Sequence, residues 1–249
     1  MARRPLLGAA SIPSAPVLVP GVGVGVGAVL EQLRTTVSRV VSRLPDADVA
    51  VIVAAGQPAL HDTVTVDLTG LGHPQVSRTL DGCPSAIAAL SRITQYPRVR
   101  RPRLPLDLAV LALLVDRRRV PVVALEVSAS AEFSVLSALG TSAVQALDEA
   151  GFTGVMVVAG DLSAGLNNAA PLAALPGAAS WDADIVELFT RGDTGDLAEY
   201  GPDAAAAVGA RGWAPLCVLH GAAASASLPL SVRRYSAPRG VGYLVLSTQ

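Results

Sequence analysis

The chain has 249 residues, 51% of them hydrophobic and only 16% charged. That is enough apolar material for one large α/β domain or two small ones, and it excludes a disordered chain. A net charge of −1 argues against a general binder of nucleic acid or anionic membrane surface.

Aromatic residues make up 4% of the chain, so Ala, Val and Leu must fill the core. All nineteen basic residues are arginine, and Asn167 and Asn168 are the two asparagines. With abundant Ala, Val and Gly, this bias suggests a GC-rich, actinobacterial genome. Cys83 and Cys217 are far apart and offer neither zinc spacing nor a disulfide framework, so a reduced, cytoplasmic compartment is the default expectation. Near the N-terminus, Arg3 and Arg4 precede an apolar stretch, but Pro5, Pro13, Pro16, Pro20 and the glycines break a signal-peptide helix. No other apolar run reaches the ~20 residues of a membrane span.

In chain order, a buried strand is expected from near Leu7 to Val19. Val26 to Leu44 follows as an amphipathic helix, with apolar residues at helical spacing and Pro45 as its stop. "DVAVIVAAG", Asp48 to Gly56, reads as a strand buried on both faces. "DTVTVDL", Asp62 to Leu68, alternates like an edge strand. Gly70 to Arg103 is irregular: a long loop, or one carrying a short helix near Ser85 to Thr94. Then come a helix from Leu106 to Asp116, a buried strand from Val120 to Ser128, a helix from Ala131 to Ala150 and a buried strand from Gly154 to Asp161. Short helices are expected at Trp181–Thr190, Asp196–Tyr200, Ala204–Ala210 and Ala214–Ala224, and two closing strands at Leu228–Tyr235 and Gly242–Ser247. Strands alternating with helices predict a single α/β domain over residues 1–249, with a central, mostly parallel or mixed sheet flanked by helices.

Gly23, Gly25 and Ala28 fit the dinucleotide fingerprint G-x-G-x-x-G/A after a strand and before a helix. The fingerprint also needs an acid at the end of the next strand. That strand ends Ala54-Ala55-Gly56-Gln57, and Pro20 interrupts the entry to the loop. The glycine run is therefore not read as a phosphate cradle.

Several stretches resemble the B-subunit (LigB) type of class III extradiol dioxygenases, in its actinobacterial branch. They are "IPSAPVLVP", "DVAVIVAAG", "VMVVAGDLSAGL", "ASWDADIVELFTRGD", "WAPLCVLHGAA" and "APRGVGYLVLS". They occur in the family's order and span nearly the whole chain. The resemblance implies an α/β fold with a cleft at the strand ends. There two histidines and a carboxylate hold Fe(II), or Zn in some relatives, and a further histidine is the acid/base in catechol cleavage.

Position by position, the resemblance implies that this chemistry is lost. Ser14, in Pro13-Ser14-Ala15-Pro16, stands where the family has a metal-binding histidine. The second strand runs into Gly56-Gln57 where the second histidine belongs, and His61 follows out of register. Ala164, in Gly160-Asp161-Leu162-Ser163-Ala164, replaces the acid/base histidine. Arg211-Gly212 aligns with the family's Glu-His-like pair, and a guanidinium is no metal ligand. No cofactor is expected.

Asp161 and Ser163 follow a buried strand, the usual place for function in α/β proteins; the plainer reading is that Asp161 caps the next turn. Asp182 reads as an N-terminal cap of the helix through Phe189. His61 is placed in a strand-end loop and His73 in a surface turn. Cys217 and His220 share a helix face, read as a buried cysteine beside a hydrogen-bonded histidine. Arg98, Arg100, Arg101 and Arg103 near Tyr96, and Arg117 to Arg119, read as a solvated loop and a helix C-terminus rather than a nucleic-acid surface.

The expected remnant cleft thus comprises Ser14, Gly56, Gln57, His61, Asp161, Ser163, Ala164 and Arg211. Two function classes follow. One is a fold retained for binding an unidentified small molecule or protein partner, and the other an enzyme with a repurposed cleft for an anionic substrate, or with a rebuilt metal site. No nucleic acid or membrane partner is expected, and assembly of identical copies is left open.

Overall fold

A computed structural model describes residues 4–23 and 27–248. In chain order the elements are β1 (Leu6–Ile12), α1 (Ala28–Arg43), β2 (Val49–Ala55), β3 (Ala59–His61), β4 (Val64–Asp67), β5 (Ser77–Leu80), α2 (Pro84–Thr94), β6 (Arg98–Val99), α3 (Leu106–Val115), β7 (Val122–Val127), α4 (Phe133–Glu149), β8 (Gly154–Ala159), α5 (Ala178–Arg191), α6 (Gly201–Ala207), α7 (Trp213–Ser225), β9 (Leu230–Ser236) and β10 (Tyr243–Thr248). Eight strands form one mixed sheet in the order β6-β3-β7-β2-β8-β1-β10-β9.

The four inner strands, β7, β2, β8 and β1, are parallel. Three of them, β2 (VAVIVAA), β7 (VVALEV) and β8 (GVMVVA), are buried at every residue. Such near-continuous apolar runs are what a sheet covered on both faces requires. Antiparallel strands close both flanks, β3 against β7 and β10 against β1.

Two hydrophobic layers sandwich the sheet. One is built with α2, α4, α5 and α7, the other with α1 and α3. The connections leaving β7 and β8 lead to α4 and α5 in the first layer and the one leaving β1 leads to α1 in the second, while β2 is followed directly by β3 of the same sheet. The adjacent strands β8 and β1 therefore send their chains to opposite faces, which opens a crevice at their carboxyl ends.

The structure revises the sequence reading in several places. β1 stops at Ile12, and Pro16–Leu18 form a 3-10 turn instead of strand. Pro13 and Pro16 have no N–H to give a ladder, which explains the early end. The alternating Asp62–Leu68 stretch pairs as β4 with β5 in a separate two-stranded sheet. In the region 70–103 the short helix expected near Ser85 to Thr94 is present as α2, and the rest is not plain loop, since it also holds β5 and β6. α1 opens at Ala28, with Gly27 at φ 81° as its N-cap. Gly25 and Val26 of the phosphate-loop and helix-start readings lie outside the described residues.

Candidate functional site

A row of polar side chains crosses the carboxyl ends of the parallel strands. At one end of the row, the turn after β1 meets the turn after β8. Ser14 donates two hydrogen bonds to Asp161 Oδ2, from its backbone N–H at 2.9 Å and from Oγ at 2.6 Å. The turns are laid together by backbone pairing, with the Gly160 N–H donating to Ile12 O at 2.9 Å. Gly160 has to be glycine here, because a Cβ would fall on Leu244 O and Ser11 Oγ.

Arg211, before α7, joins this pair. The Gly212 N–H donates to Asp161 O at 2.6 Å. The Arg211 guanidinium donates to Asp107 Oδ2 from Nη2 at 2.8 Å and from Nε at 3.2 Å, and to Ala55 O at 3.1 Å. Its side chain is still 64% exposed. Asp107 sits in the first turn of α3, where the helix dipole favours a carboxylate. Burial pushes the Asp161 pKa up to about 6 against the pull of the two Ser14 hydrogen bonds; Asp107 adds to the rise and Arg211 opposes it.

The row continues across β2, β7 and β3. Glu126, buried in β7, lies against His61, with Nε2 2.9 Å from Oε2. Arg101 donates to Glu126 Oε2 at 3.3 Å and to Gln57 Oε1 at 3.2 Å. A Cβ on Gly56 would strike Glu126 Oε1, so the absent side chain at 56 is what admits the carboxylate. His61 is 1% exposed, and desolvation lowers its pKa although Glu126 pulls the other way. A neutral ring donating from Nε2 to Glu126 leaves Nδ1 as a buried acceptor, and Nδ1 has no hydrogen-bond partner.

The expected cleft is thus partly assembled. Ser14, Asp161 and Arg211 converge, with the end of β2 at Ala55 and Gly56 alongside. Gln57 and His61 form the neighbouring group through Arg101 and Glu126. His61 lies in β3, not in a loop, because Ala59–His61 pairs with β7. Ser163 and Ala164 are tied elsewhere: the Ser163 N–H donates to Asp182 Oδ1 at 2.9 Å and the Ala164 N–H to Val208 O at 3.1 Å. Asp182 is no helix cap. It lies within α5, whose N-cap is Gly177, and accepts from Tyr235 Oη at 2.7 Å, clamping the turn after β8 to β9. Nor does Asp161 cap its own turn, since its carboxylate serves Ser14.

Glu126 and Asp107 were missed by sequence reasoning. Glu126 did leave a signal, as the one acid in the apolar run Val122–Val127; a carboxylate in a fully buried strand demands partners. Asp107 left none, since an acid in a first helical turn is ordinary.

Other candidates resolve structurally. His220 Nδ1 lies 2.8 Å from Thr194 Oγ1 and its ring tilts against Phe133, while Cys217 is buried with its thiol pKa pushed up by desolvation. Arg98 pairs with Asp62, Arg103 with Asp67 and Arg118 with Asp46.

A cleft of about 550 Å³ adjoins the Ser14–Asp161 end. Ala15, Val17, Leu30 and Pro171 give it apolar walls, and Arg239 and Tyr243 give it polar ones. The Tyr243 phenol is raised to about 12, first by burial and then by the charge of Asp161, with Arg239 acting in the opposite direction.

The donor set does not suit the Fe(II) or Zn that the family resemblance implies. Among the described residues, no group of three or more His, Cys, Asp or Glu side chains is placed to hold a metal ion. Near Ser14, Asp161 lies in the field of an Asp107–Arg211 ion pair, and the His61–Glu126 pair is capped by the Arg101 guanidinium. A divalent ion also prefers a site without resident cations. Among the described residues, no helix is long and apolar enough to cross a membrane.

No protein-family model matches the chain. No curated protein matches it either. Among solved structures 16 chains match. One of these is the crystal structure of the uncharacterized protein JW3007 from Escherichia coli K12, with a TM-score of 0.66 and 15% identity over 98% of this chain and 100% of that one. The likeness shows the α/β fold along the whole chain.

Proposed function

We propose that this chain is a divergent LigB-like protein that has given up iron-dependent ring cleavage and binds a small organic acid at the carboxyl ends of its parallel strands. The observation that carries the reading is Asp161, fixed by Ser14 between Arg211 and the Tyr243 side of an open cleft. Arg239, in the cleft wall, offers charge to an anionic group, and guanidinium suits a carboxylate. Asp161 offers an acceptor to a hydroxyl on the same ligand. The walls formed by Val17, Leu30 and Pro171 suit an apolar or aromatic body of modest size.

A second reading has its own support. A carboxylate with a pKa near 6 is matched to proton transfer near neutral pH, so Asp161 would act as general base on the bound molecule.

Calorimetric titration with 3,4-dihydroxybenzoate and with benzoate tests the binding. Saturable binding of both is expected, with Arg239→Gln weakening both about tenfold. Asp161→Asn should weaken the dihydroxy acid selectively. Failure of either acid to bind, or equal affinities in Asp161→Asn, would overturn the proposal. Ring-opened product from protein preincubated anaerobically with Fe(II) would overturn the loss of dioxygenase chemistry. Turnover of a bound acid that disappears in Asp161→Asn would establish the second reading.

A further inference from the structure

At the opposite end of the sheet, a second cleft of about 580 Å³ lies between the C-terminal half of α1 and the β9–β10 edge. Its lining includes Arg39 and Arg43 from α1, Arg233 and Arg234 from β9, and no carboxylate. In a chain of nineteen arginines and twenty acids, four cations facing one concavity without an acid is an arrangement that repels itself.

The local structure builds this convergence. Arg39 and Arg43 are four residues apart and stack on one helix face, where like charges are destabilising. Consecutive strand residues normally point to opposite faces. Here the β9–β10 register shifts: Arg234 pairs with Val245 while Val232 pairs with Leu246, so Arg233 is the extra, bulged residue. A bulge re-aims a side chain, and this one puts two successive arginines into the same cleft.

The strand arginines are also held in place. Arg233 Nε donates to Ser247 Oγ at 2.7 Å, and Arg234 Nη2 donates to Gln32 Oε1 at 2.5 Å. Arg234 Nε is buried and has no hydrogen-bond partner. The C-terminal dipole of α1 accounts for a cation at Arg43, but not for the bulge or the orphaned donor. A charged edge strand also discourages edge-to-edge pairing, yet that needs no concavity and no facing arginines on a helix.

We propose that this cleft binds a small soluble molecule bearing a di- or triphosphate group, with the four guanidiniums on its phosphate oxygens. Arginine forks match phosphate geometry, and the volume lies in the range of small-ligand pockets. This site is separate from the Asp161 cleft and does not depend on the function proposed for it.

The test is calorimetric titration of the full chain with inorganic tripolyphosphate and with orthophosphate at low and moderate salt. One-to-one binding of tripolyphosphate is expected, at least tenfold tighter than orthophosphate and weaker with added salt. Arg39→Gln/Arg43→Gln, two exposed helix positions where glutamine keeps the helix, should lose at least tenfold in affinity with an unchanged circular dichroism spectrum. Arg211→Gln, at the other cleft, should bind as the wild type does. No saturable binding, equal binding by the double variant, or loss of binding in Arg211→Gln would each overturn the assignment. A duplex DNA or heparin that binds with many proteins per chain and outcompetes tripolyphosphate would overturn it in favour of a macromolecular polyanion.

Discussion

Asp161 holds a charge where that charge is costly. Its pKa of about 6 lies roughly 2 units above the ordinary value of about 3.9, so the folded chain keeps a proton that the unfolded chain releases. Between about pH 4 and 6 the folded state therefore binds more protons, and the contribution of Asp161 to stability falls as pH rises through that window. Above it, the ionised carboxylate costs up to about 3 kcal/mol. Asparagine would keep an acceptor for Ser14 and remove the charge. Asp161→Asn is expected to be more stable than the wild type at pH 7.5, by about 1 to 3 kcal/mol, and to flatten the pH dependence between 4 and 6. Urea unfolding at a series of pH values reads both, and a destabilised variant at pH 7.5 would show that Asp161 is a structural anchor. The partner effect has the opposite sign. Arg211→Gln removes the cation that opposes the shift and leaves Asp107 in place, so the Asp161 pKa should climb further; carboxyl-carbon NMR titration would show it. At the neighbouring group, Glu126→Ala leaves His61 and Arg101 without their shared buried carboxylate. A loss of about 3 to 5 kcal/mol is expected from breaking a buried pair on one side, against the near-neutral result of a surface ion pair.

The elements are held by close backbone approach, as a core poor in aromatics requires. α4 and α7 cross where Gly140 meets Gly221. A Cβ on Gly221 would fall on Ser137 O, and one on Gly140 would fall on Val218 O and lie 2.7 Å from Ala222 N. Nearly every residue of α7 from Trp213 to Ala223 is buried, which is why its sequence is apolar all round, without an amphipathic period. Two effects compete in Gly221→Ala. Helix propensity favours alanine by about 1 kcal/mol, whereas a methyl forced against backbone costs about 1 to 3 kcal/mol. Because the obstacle is a carbonyl and not the tip of a flexible side chain, overpacking wins. The variant should unfold at lower urea concentration than the wild type, and an unchanged or higher midpoint would mean that the helices separate freely. Gly56 obeys the same logic on behalf of the site, since its missing side chain is the space that Glu126 occupies.

At the scale of the whole molecule, what the sequence displays is periodicity, and what it conceals is adjacency. The buried strands β2, β7 and β8 and the helices α1, α3 and α4 announce themselves as apolar runs and helical repeats, because burial on two faces or on one stripe leaves a local pattern. β3 and β6 do not, since strands of three and two residues exist only through their neighbours. The Ser14–Asp161 contact spans 147 positions and His61–Glu126 spans 65; no spacing rule reaches that far, although a family resemblance flagged Ser14, His61, Asp161 and Arg211 as cleft residues. The same assembly sets the expectation for metal binding. With Ser14 donating both of its hydrogen bonds to Asp161, Arg211 beside it and Arg101 over Glu126, the strand ends present paired charges where a divalent ion would need a vacant cluster of ligands. Protein purified without chelator, then incubated anaerobically with Fe(II) or Zn(II) and desalted, should retain well under one equivalent by elemental analysis. Stoichiometric metal that vanishes in His61→Ala and Glu126→Ala would instead mean that the unpartnered Nδ1 of His61 turns outward to a ligand site, and that the iron chemistry has moved along the strand ends to the β3–β7 side.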